Sequence, residues 1–326
     1  MTPERVEEVL SAVSGRRVLV VGDLMLDHYV SGSVDRVSPE APVPVVRVLE
    51  ERVALGGAGN VAANVVALGA ACTVVGCAGA DETGRTLRSR LEALGVDTGG
   101  IIEATDRPTT MKSRVMAGHQ QVVRFDREVE ADVDTDVAAA MVQRVAEFGA
   151  SCDVLVMEDY DKGVLVAELV AAVLEVGAQR GIPSVVDPKR RNFFGYGGAT
   201  VFKPNAKELE DALGEAIRPD DSAWMEATRR RVGCEHLFLT LGERGVALQT
   251  GDGNLARIPT VARSVYDVSG AGDTVTAIVA LVLAGGGTPA EAAVLANHAA
   301  AVEVGKAGVT TVSPAEIREH MREHAV

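Results

Sequence analysis

The chain has 326 residues, of which 47% are hydrophobic and 24% charged, as in ordinary soluble globular proteins. Its 46 acidic and 32 basic residues give a formal net charge of -14, and no dense Lys/Arg tract is present. This balance argues against nucleic acid or an anionic membrane as the main partner, so any phosphate site must be local.

Short Val/Leu-rich runs alternate with Ala-rich helical stretches along most of the chain. The predicted buried strands are 17–22, 72–76, 153–157, 183–186, 200–202 and 236–240. The predicted helices are 60–68, 83–94, 135–148, 165–179, 206–213, 223–231, 273–284 and 289–305. This alternation indicates an α/β fold with a mostly parallel sheet covered by helices on both faces.

Two segments interrupt the alternation. Residues 29–54 contain three prolines and alternating valines, and residues 109–126 are strand-like with interleaved polar side chains, including His119. Extended, half-polar pieces of this kind often form a small sheet over the carboxyl edge of the main sheet. We therefore predict a β-sheet lid at about 29–54 and 109–126, within one domain that spans residues 1–326.

The first ligand-binding candidates follow the first predicted strand and precede the first core helix. Asp27 could accept hydrogen bonds from sugar hydroxyls, or it could lie in a solvated turn. Gly56 and Gly57 would let a ligand touch the backbone, and Asn60 could both cap the next helix and bond a hydroxyl.

Further candidates follow later strands, at the sheet edge where α/β folds bind ligands. Asp159 and Lys189 each come shortly after a strand. Asn205 and Glu208 are three residues apart on a first helical turn, a spacing that suits either an outer-shell hold on hydrated Mg²⁺ or a capping pair.

A glycine-rich turn at Thr240, Gly242 and Gly245 follows another strand. Such a turn could lie along the phosphates or ribose of a nucleotide, or it could be an ordinary hairpin turn.

The most informative motif is the run 267–274, which leads into an apolar helix. Gly270, Ala271 and Gly272 permit a tight turn, and the free N–H groups of the helix that follows favour an anion such as phosphate. Asp273 could serve as a base beside that anion, or it could be a helix cap. An anion cradle next to a carboxylate is the layout of a kinase.

Two other patterns are set aside. The stretch 57–62 matches a dinucleotide-binding G-x-G-x-x-A, but that fingerprint belongs directly after the first strand, and here a proline-rich segment intervenes. The stretch 320–324 matches the zinc-peptidase pattern H-x-x-E-H, but nothing nearby in the sequence offers a third ligand. The chain also lacks the P-loop motif.

The compartment is inferred from the cysteines and the N-terminus. Cys72, Cys77, Cys152 and Cys234 are scattered without C-x-x-C spacing, which predicts a reducing compartment and no disulfide framework. The N-terminal residues 2–8 are charged, and no run approaches the ~20 apolar residues of a membrane span. We expect a cytoplasmic protein.

Together these motifs resemble the PfkB (ribokinase-like) carbohydrate kinase family over nearly the whole chain. The family's Gly-Gly…Asn helix start matches 56–60, its Asp-x-x-Gly-Ala-Gly-Asp matches 267–273, and its Asn-x-x-Glu matches 205–208. Within the family, segments 22–29, 36–46 and 120–126 are similar to the heptose 7-phosphate kinases of lipopolysaccharide core biosynthesis. One departure is Glu158, where those enzymes usually carry a small or neutral residue.

The resemblance implies a ribokinase-like three-layer fold and ATP-dependent phosphorylation of the anomeric hydroxyl of D-glycero-D-manno-heptose 7-phosphate, a step toward ADP-heptose. Asp273 would be the base, and the amides of Gly270, Ala271 and Gly272 would hold charge on the transferring group. Mg²⁺ would be positioned through Asn205 and Glu208; dependence on a monovalent cation stays open. Sugar hydroxyls would contact Asp27, Gly56, Gly57, Asn60 and Asp159. The nucleotide would contact Asn205, Glu208, Thr240, Gly242, Gly245 and Asn297.

The substrate phosphate requires a cationic anchor. The candidates are Lys112, Arg114 and Arg124 on the lid, with Arg36 and Lys189 in reserve. The resemblance also implies a homodimer through paired lid strands. Because such kinases are often fused to a C-terminal adenylyltransferase and this chain ends with the kinase, we expect a stand-alone kinase with a separate adenylyltransferase. The alternatives are a PfkB kinase for another sugar, sugar phosphate or nucleoside, and a non-catalytic nucleotide or sugar sensor.

Overall fold

The computed structural model describes residues 1–118, 120–262 and 265–324. The strands are β1 Arg17–Gly22, β2 Leu24–Val37, β3 Pro44–Gly57, β4 Ala71–Gly79, β5 Asp97–Ala104, β6 Thr110–Ala117, β7 Gln120–Arg127, β8 Val154–Glu158, β9 Ser184–Asp187, β10 Val201–Phe202, β11 His236–Thr240, β12 Val246–Gln249 and β13 Leu255–Ile258. The helices are α1 Pro3–Ala12, α2 Ala58–Ala67, α3 Glu82–Ala93, α4 Thr135–Gly149, α5 Ala167–Arg180, α6 Ala206–Leu213, α7 Ser222–Val232, α8 Ala271–Ala284, α9 Pro289–Val304 and α10 Pro314–Glu323.

A nine-stranded sheet forms the centre of the molecule, in the order β13-β12-β11-β10-β9-β8-β1-β4-β5. The pairs from β11 through β5 are parallel, whereas β12 and β13 are antiparallel additions at one edge. The carboxyl ends of the parallel strands therefore share one edge, as the strand–helix alternation predicts.

Helices cover both faces of this sheet. Along β1, Val18 and Val20 join the apolar cluster that includes α1, α2, α8 and α9, while Leu19 and Val21 join the cluster with α4, α5 and α7. This alternation follows from the two-residue period of a strand buried on both faces. The three-layer α/β architecture predicted from the sequence is confirmed.

A second, four-stranded sheet forms the predicted lid, in the order β3-β2-β6-β7. It contains most of both predicted lid segments, and His119 between β6 and β7 lies outside the described residues. The alternative in which Asp27 lies in a solvated turn is excluded, because β2 begins at Leu24 and carries the buried Asp27 into the lid.

The helix boundaries agree with the predicted ones to within two residues, but Asn60 does not cap α2, because that helix begins at Ala58 with Gly57 as its N-cap. Helix α6 spans the predicted 206–213, with Asn205 and Glu208 forming a reciprocal capping box. Helix α10 and strands β5, β12 and β13 were not predicted. Within the described ranges, no helix is both long and apolar enough to cross a bilayer. The four cysteines are buried and free.

Candidate active site

Asp273 lies in the first turn of α8, at the helix start for which the sequence predicts an anion cradle. Gly270 has φ +90° as the N-cap, which suits glycine, and Ala271 and Gly272 begin the helix. The Asp273 side chain is buried and accepts hydrogen bonds from Asn60 Nδ2 at 2.7 Å and from Tyr160 Oη at 2.8 Å. Burial raises the pKa of Asp273 to about 6, although both hydrogen bonds favour its ionised form.

Tyr160 is held in place by the loop that follows β8. The buried Asp23 carboxylate accepts hydrogen bonds from the backbone N–H groups of Tyr160 at 2.7 Å and Lys162 at 3.1 Å. This anchors the loop beside α8, so that the tyrosine hydroxyl reaches the Asp273 carboxylate.

Three buried carboxylates meet at the ends of β8, β9 and the start of α8. Oxygens of Glu158, Asp187 and Asp273 lie within 4.8 Å of one another. Asp187 is paired with Lys203 at 2.7 Å, but neither Glu158 oxygen has a hydrogen-bond partner among the described residues. Burial, with Asp187 and Asp273 nearby, raises the pKa of Glu158 well above its ordinary value. Such a set of hard oxygen donors could hold a divalent cation.

The predicted magnesium residues Asn205 and Glu208 lie at the start of α6. The Asn205 side chain accepts from the Glu208 N–H at 2.9 Å, and Glu208 accepts from the Asn205 N–H at 2.8 Å. Glu208 is also ion-paired with Lys189. The capping alternative is therefore present in the structure, and Lys189 is engaged by a carboxylate of the protein.

The predicted nucleotide residues lie around one edge of the main sheet. Thr240 ends β11 and forms a bridge with Asn205, so these two come together. Gly242 and Gly245 lie in the short turn that joins β11 to the antiparallel β12, which is the hairpin alternative. Asn297 on α9 is nearly buried and donates to the Pro259 carbonyl oxygen at 2.7 Å.

The predicted sugar-binding residues form two groups: one at the lid and the start of α2, and the other, Asp159, in the loop after β8. Asn60 contacts Asp273, and Gly56 packs so closely on Asp27 that a Cβ there would lie 2.5 Å from its Oδ2. Gly57 has φ +55° at the end of β3, a conformation that favours glycine. Asp159 is instead buried, accepting from the Asp161 N–H at 2.8 Å and Tyr196 Oη at 2.6 Å. Its contacts hold the loop together.

The lid cations occupy different environments. Arg114 is bonded to Asp27 and lines a cavity of about 700 Å³, together with Tyr29 and Arg52. Lys112 Nζ lies 5.2 Å from the centroid of the Tyr160 ring. Neither Lys112, Arg124 nor Arg36 lines the cavity. Arg124 is paired with Asp126 at 3.0 Å, and Arg36 is exposed at the far end of β2.

Sequence reasoning missed several members of this arrangement. Tyr160 and Lys203 lie beside the candidates Asp159 and Asn205, but nothing in the sequence assigns them a role. Glu158 stands out only as a departure from the family pattern. Arg52 carried no signal beyond its position in the lid.

The H-x-x-E-H pattern lies on α10, away from Asp273. Nothing near this pattern in the sequence offers a third ligand, but the fold brings His298 Nδ1 to 2.9 Å from His320 Nδ1. Burial lowers the pKa of His298 to about 4, so it is neutral near pH 7 and can share a proton with its neighbour. We interpret the pair as a hydrogen-bonded packing contact.

Comparison with known proteins settles the family. Residues 16–316 match the model of the pfkB family carbohydrate kinases. This chain belongs to that family. The pfkB kinases of this fold use ATP and typically a divalent metal ion, in keeping with the anion cradle and the carboxylate cluster.

Curated relatives are similar in sequence to this pfkB kinase over nearly its whole length. The Bifunctional protein HldE of Geobacter sulfurreducens is 45% identical over 319 residues, covering 97% of this chain and 65% of the relative. The protein of the same name from Syntrophotalea carbinolica is 43% identical over 328 residues, covering 100% of this chain and 67% of the relative. The chain thus spans about 65% of the length of the first of these relatives.

Solved structures confirm the ribokinase-like fold. Phosphofructokinase-2 from Escherichia coli in complex with substrates and products superposes with a TM-score of 0.79 at 21% identity, covering 94% of this chain and 99% of that one. Arabidopsis thaliana ribokinase complexed with ribose and ATP has a TM-score of 0.75 at 18% identity, with the same coverage.

Proposed function

We propose that this kinase transfers the γ-phosphoryl group of ATP to the anomeric hydroxyl of D-glycero-β-D-manno-heptose 7-phosphate, producing the 1,7-bisphosphate and ADP. The observation that carries the proposal is Asp273, buried at the start of α8 between Asn60 and Tyr160, close to a lid with cationic side chains. The choice of heptose rests on the lid sequences and on the curated relatives.

Asp273 would act as the base in this reaction. As the sugar oxygen forms its bond to the γ-phosphorus, the bond from that phosphorus to the β–γ bridging oxygen breaks, and the hydroxyl proton passes to the Asp273 carboxylate. The free N–H groups at the start of α8 would stabilise charge on the transferring group. A pKa of about 6 keeps the carboxylate ionised at neutral pH while leaving it basic enough to accept a proton.

The residues present fit Mg²⁺. The Glu158 carboxylate has two buried oxygens without a partner among the described residues, beside Asp187. Glu158 and Asp187 would hold the ion, with Asn205 and Glu208 acting through its water molecules. When bound, the ion neutralises negative charge on the phosphate oxygens.

The product would pass to an adenylyltransferase on the way to ADP-heptose, a lipopolysaccharide precursor, and the kinase would work in the cytoplasm as a homodimer. Since the curated relatives are bifunctional and longer than this chain, a separate adenylyltransferase remains a prediction.

The test is ADP release from ATP with heptose 7-phosphate, fructose 6-phosphate and ribose as acceptors. We expect kcat/KM to be highest for heptose 7-phosphate; a preference for either of the other sugars contradicts the proposed substrate. Asp273→Asn should lower kcat at least ~10²- to 10⁴-fold, the usual worth of a general base, while ATP still binds. Asp211→Asn, at a half-exposed carboxylate paired with Lys207, is the matched control and should leave turnover unchanged.

A further inference from the structure

The cavity of about 700 Å³ lies between the lid sheet and the loops near 266–269 and 307–308. Its volume is within the range of small-molecule sites, ~300–1,000 Å³. Ser269 forms part of its wall, one residue before Gly270. The cavity therefore opens beside the turn that leads to Asp273, where an acceptor sugar is required.

Three lid side chains form a row along this cavity. Tyr29 on β2 is paired directly opposite Arg52 on β3 and directly opposite Arg114 on β6. Residues that are opposite in neighbouring strands project from the same face of the sheet. Accordingly, the guanidinium carbons of Arg52 and Arg114 lie 4.9 and 5.4 Å from the centroid of the Tyr29 ring.

The donors in this row are largely unused by the protein. Arg114 gives one N–H group to Asp27. Among the described residues, Arg52 has neither an ion pair nor a hydrogen bond, and its guanidinium lies over the Tyr29 ring. The Tyr29 hydroxyl is buried and also has no hydrogen-bond partner within the described ranges.

Gly308 keeps space for the Arg52 guanidinium. This glycine has φ +68°, and a Cβ at its position would lie 2.0 Å from Arg52 Nη2. The guanidinium is therefore packed between an aromatic ring and a bare stretch of backbone, which limits its freedom before any ligand arrives. A donor held in this way loses less entropy on binding.

We propose that Arg52 and Arg114, held beside the Tyr29 ring, bind the phosphate group of a phosphorylated sugar substrate. The inference rests on the proposed function, which requires a sugar phosphate in this cavity. Two guanidinium groups present only N–H donors in planar forks that match phosphate oxygens. Two such forks on one wall suit a phosphate monoester.

Two carboxylates also lie in the wall of this cavity. Glu50 and Asp267 line the cavity, and Asp267 accepts the Ser269 N–H at 2.9 Å. Carboxylate oxygens repel phosphate but accept hydrogen bonds from sugar hydroxyls. The cavity therefore offers both donors for an anionic group and acceptors for hydroxyls, which suits a sugar phosphate better than a free sugar or a bare anion.

The test compares Arg52→Ala and Arg52→Lys with the wild type, using heptose 7-phosphate and the same heptose without its phosphate. For the phosphorylated sugar, we expect Arg52→Ala to raise KM about 10- to 100-fold with kcat changed less than about 3-fold, the effect of losing charge-assisted hydrogen bonds. Arg52→Lys should recover part of that loss. For the unphosphorylated sugar, KM should be the same in all three proteins.

Arg47→Ala is the matched control, since Arg47 lies on the same strand but is exposed and paired with Asp35 at 3.5 Å. Its KM for both sugars should equal that of the wild type. An equal rise in KM for both sugars in Arg52→Ala, or the same rise in Arg47→Ala, overturns the proposal.

A second measurement separates this site from the proposed function. Inorganic phosphate should bind the wild-type protein in calorimetry and should bind Arg52→Ala at least about 10-fold more weakly. If heptose 7-phosphate is not turned over, the proposed substrate fails, yet loss of phosphate binding in Arg52→Ala still supports the site. Equal phosphate binding by the two proteins overturns it.

Discussion

Tyr160 is the residue through which the acidity of Asp273 can be tested. Its hydroxyl donates to the Asp273 carboxylate at 2.8 Å and so favours the ionised form. Tyr160→Phe removes this donor, and the pKa of Asp273 should then rise further above its ordinary value. Because the base must be ionised, the acidic limb of the profile of kcat/KM against pH should move to higher pH. Activity should fall more at pH 6 than at pH 8.5.

Tyr196→Phe is the control for that experiment. Tyr196 is also buried, but its hydroxyl donates to Asp159 at 2.6 Å. The acidic limb should stay where it is in the wild type. A limb that does not move in Tyr160→Phe, or one that moves equally in both variants, would show that Asp273 is not the titrating base.

At this scale, sequence alone could predict only those residues that local patterns mark. Asp273 and Asn60 stand beside glycine turns at helix starts, and that pattern is readable. The contact between Tyr160 and Asp273 joins positions 113 residues apart, and no local periodicity encodes it. The cluster of Glu158, Asp187 and Lys203 was missed for the same reason, since strand order decides which strand ends meet.

At the scale of elements, the start of α6 combines a cap with an expected metal-holding role. Glutamine can replace glutamate in a capping box, so Glu208→Gln should preserve the helix and leave the melting temperature nearly unchanged. It removes the negative charge that faces Lys189 and would orient the water shell of Mg²⁺. We expect the Mg²⁺ concentration for half-maximal activity to rise about 10-fold, the usual effect of losing an outer-shell partner.

Helix α9 supplies the control for this prediction. Glu291 forms the same kind of capping box with Thr288 and pairs with Arg5 at 2.6 Å. Glu291→Gln should not change the Mg²⁺ requirement. If Glu208→Gln also leaves it unchanged, Glu208 is a cap alone and the carboxylates around Glu158 are the better candidates for the metal.

The bounds of helices and strands could be predicted where a local sequence pattern marks them, and could not be predicted elsewhere. Strands β1 and β11 and helix α6 have the predicted bounds, because buried apolar runs and a capping pair define them. The start of β2 was missed, since a strand that leaves one sheet for another continues the same apolar pattern through residues 24–26. Strands β12 and β13 were missed because they are short edge additions of four residues each.

At the scale of the whole molecule, the two faces of the lid differ in character. The face that carries Arg52, Tyr29 and Arg114 lines the cavity. The alternate residues point to the opposite face, where Val123 and Phe125 on β7 are 48% and 55% exposed. Strands β3 and β7 are also the edges of this sheet, with unpaired backbone groups. Exposed apolar side chains next to open edges favour association.

The predicted homodimer would cover this outer face of the lid with the lid of a second copy. Phe125→Glu places a charge at the centre of such a contact without touching the cavity face, so it should convert a dimer into a monomer in light scattering coupled to size exclusion. Phe194→Glu is the control, because Phe194 is similarly exposed at 46% but lies outside the lid, in the loop after β9, with the Arg231 guanidinium carbon of α7 5.1 Å from its ring centroid. That variant should keep the oligomeric state of the wild type.

A wild-type protein that is monomeric at micromolar concentration, or a Phe125→Glu protein that remains dimeric, would contradict association through the lid. If the monomeric variant also shows a raised KM for the sugar, then pairing of the two lids helps to hold the arginine row in place.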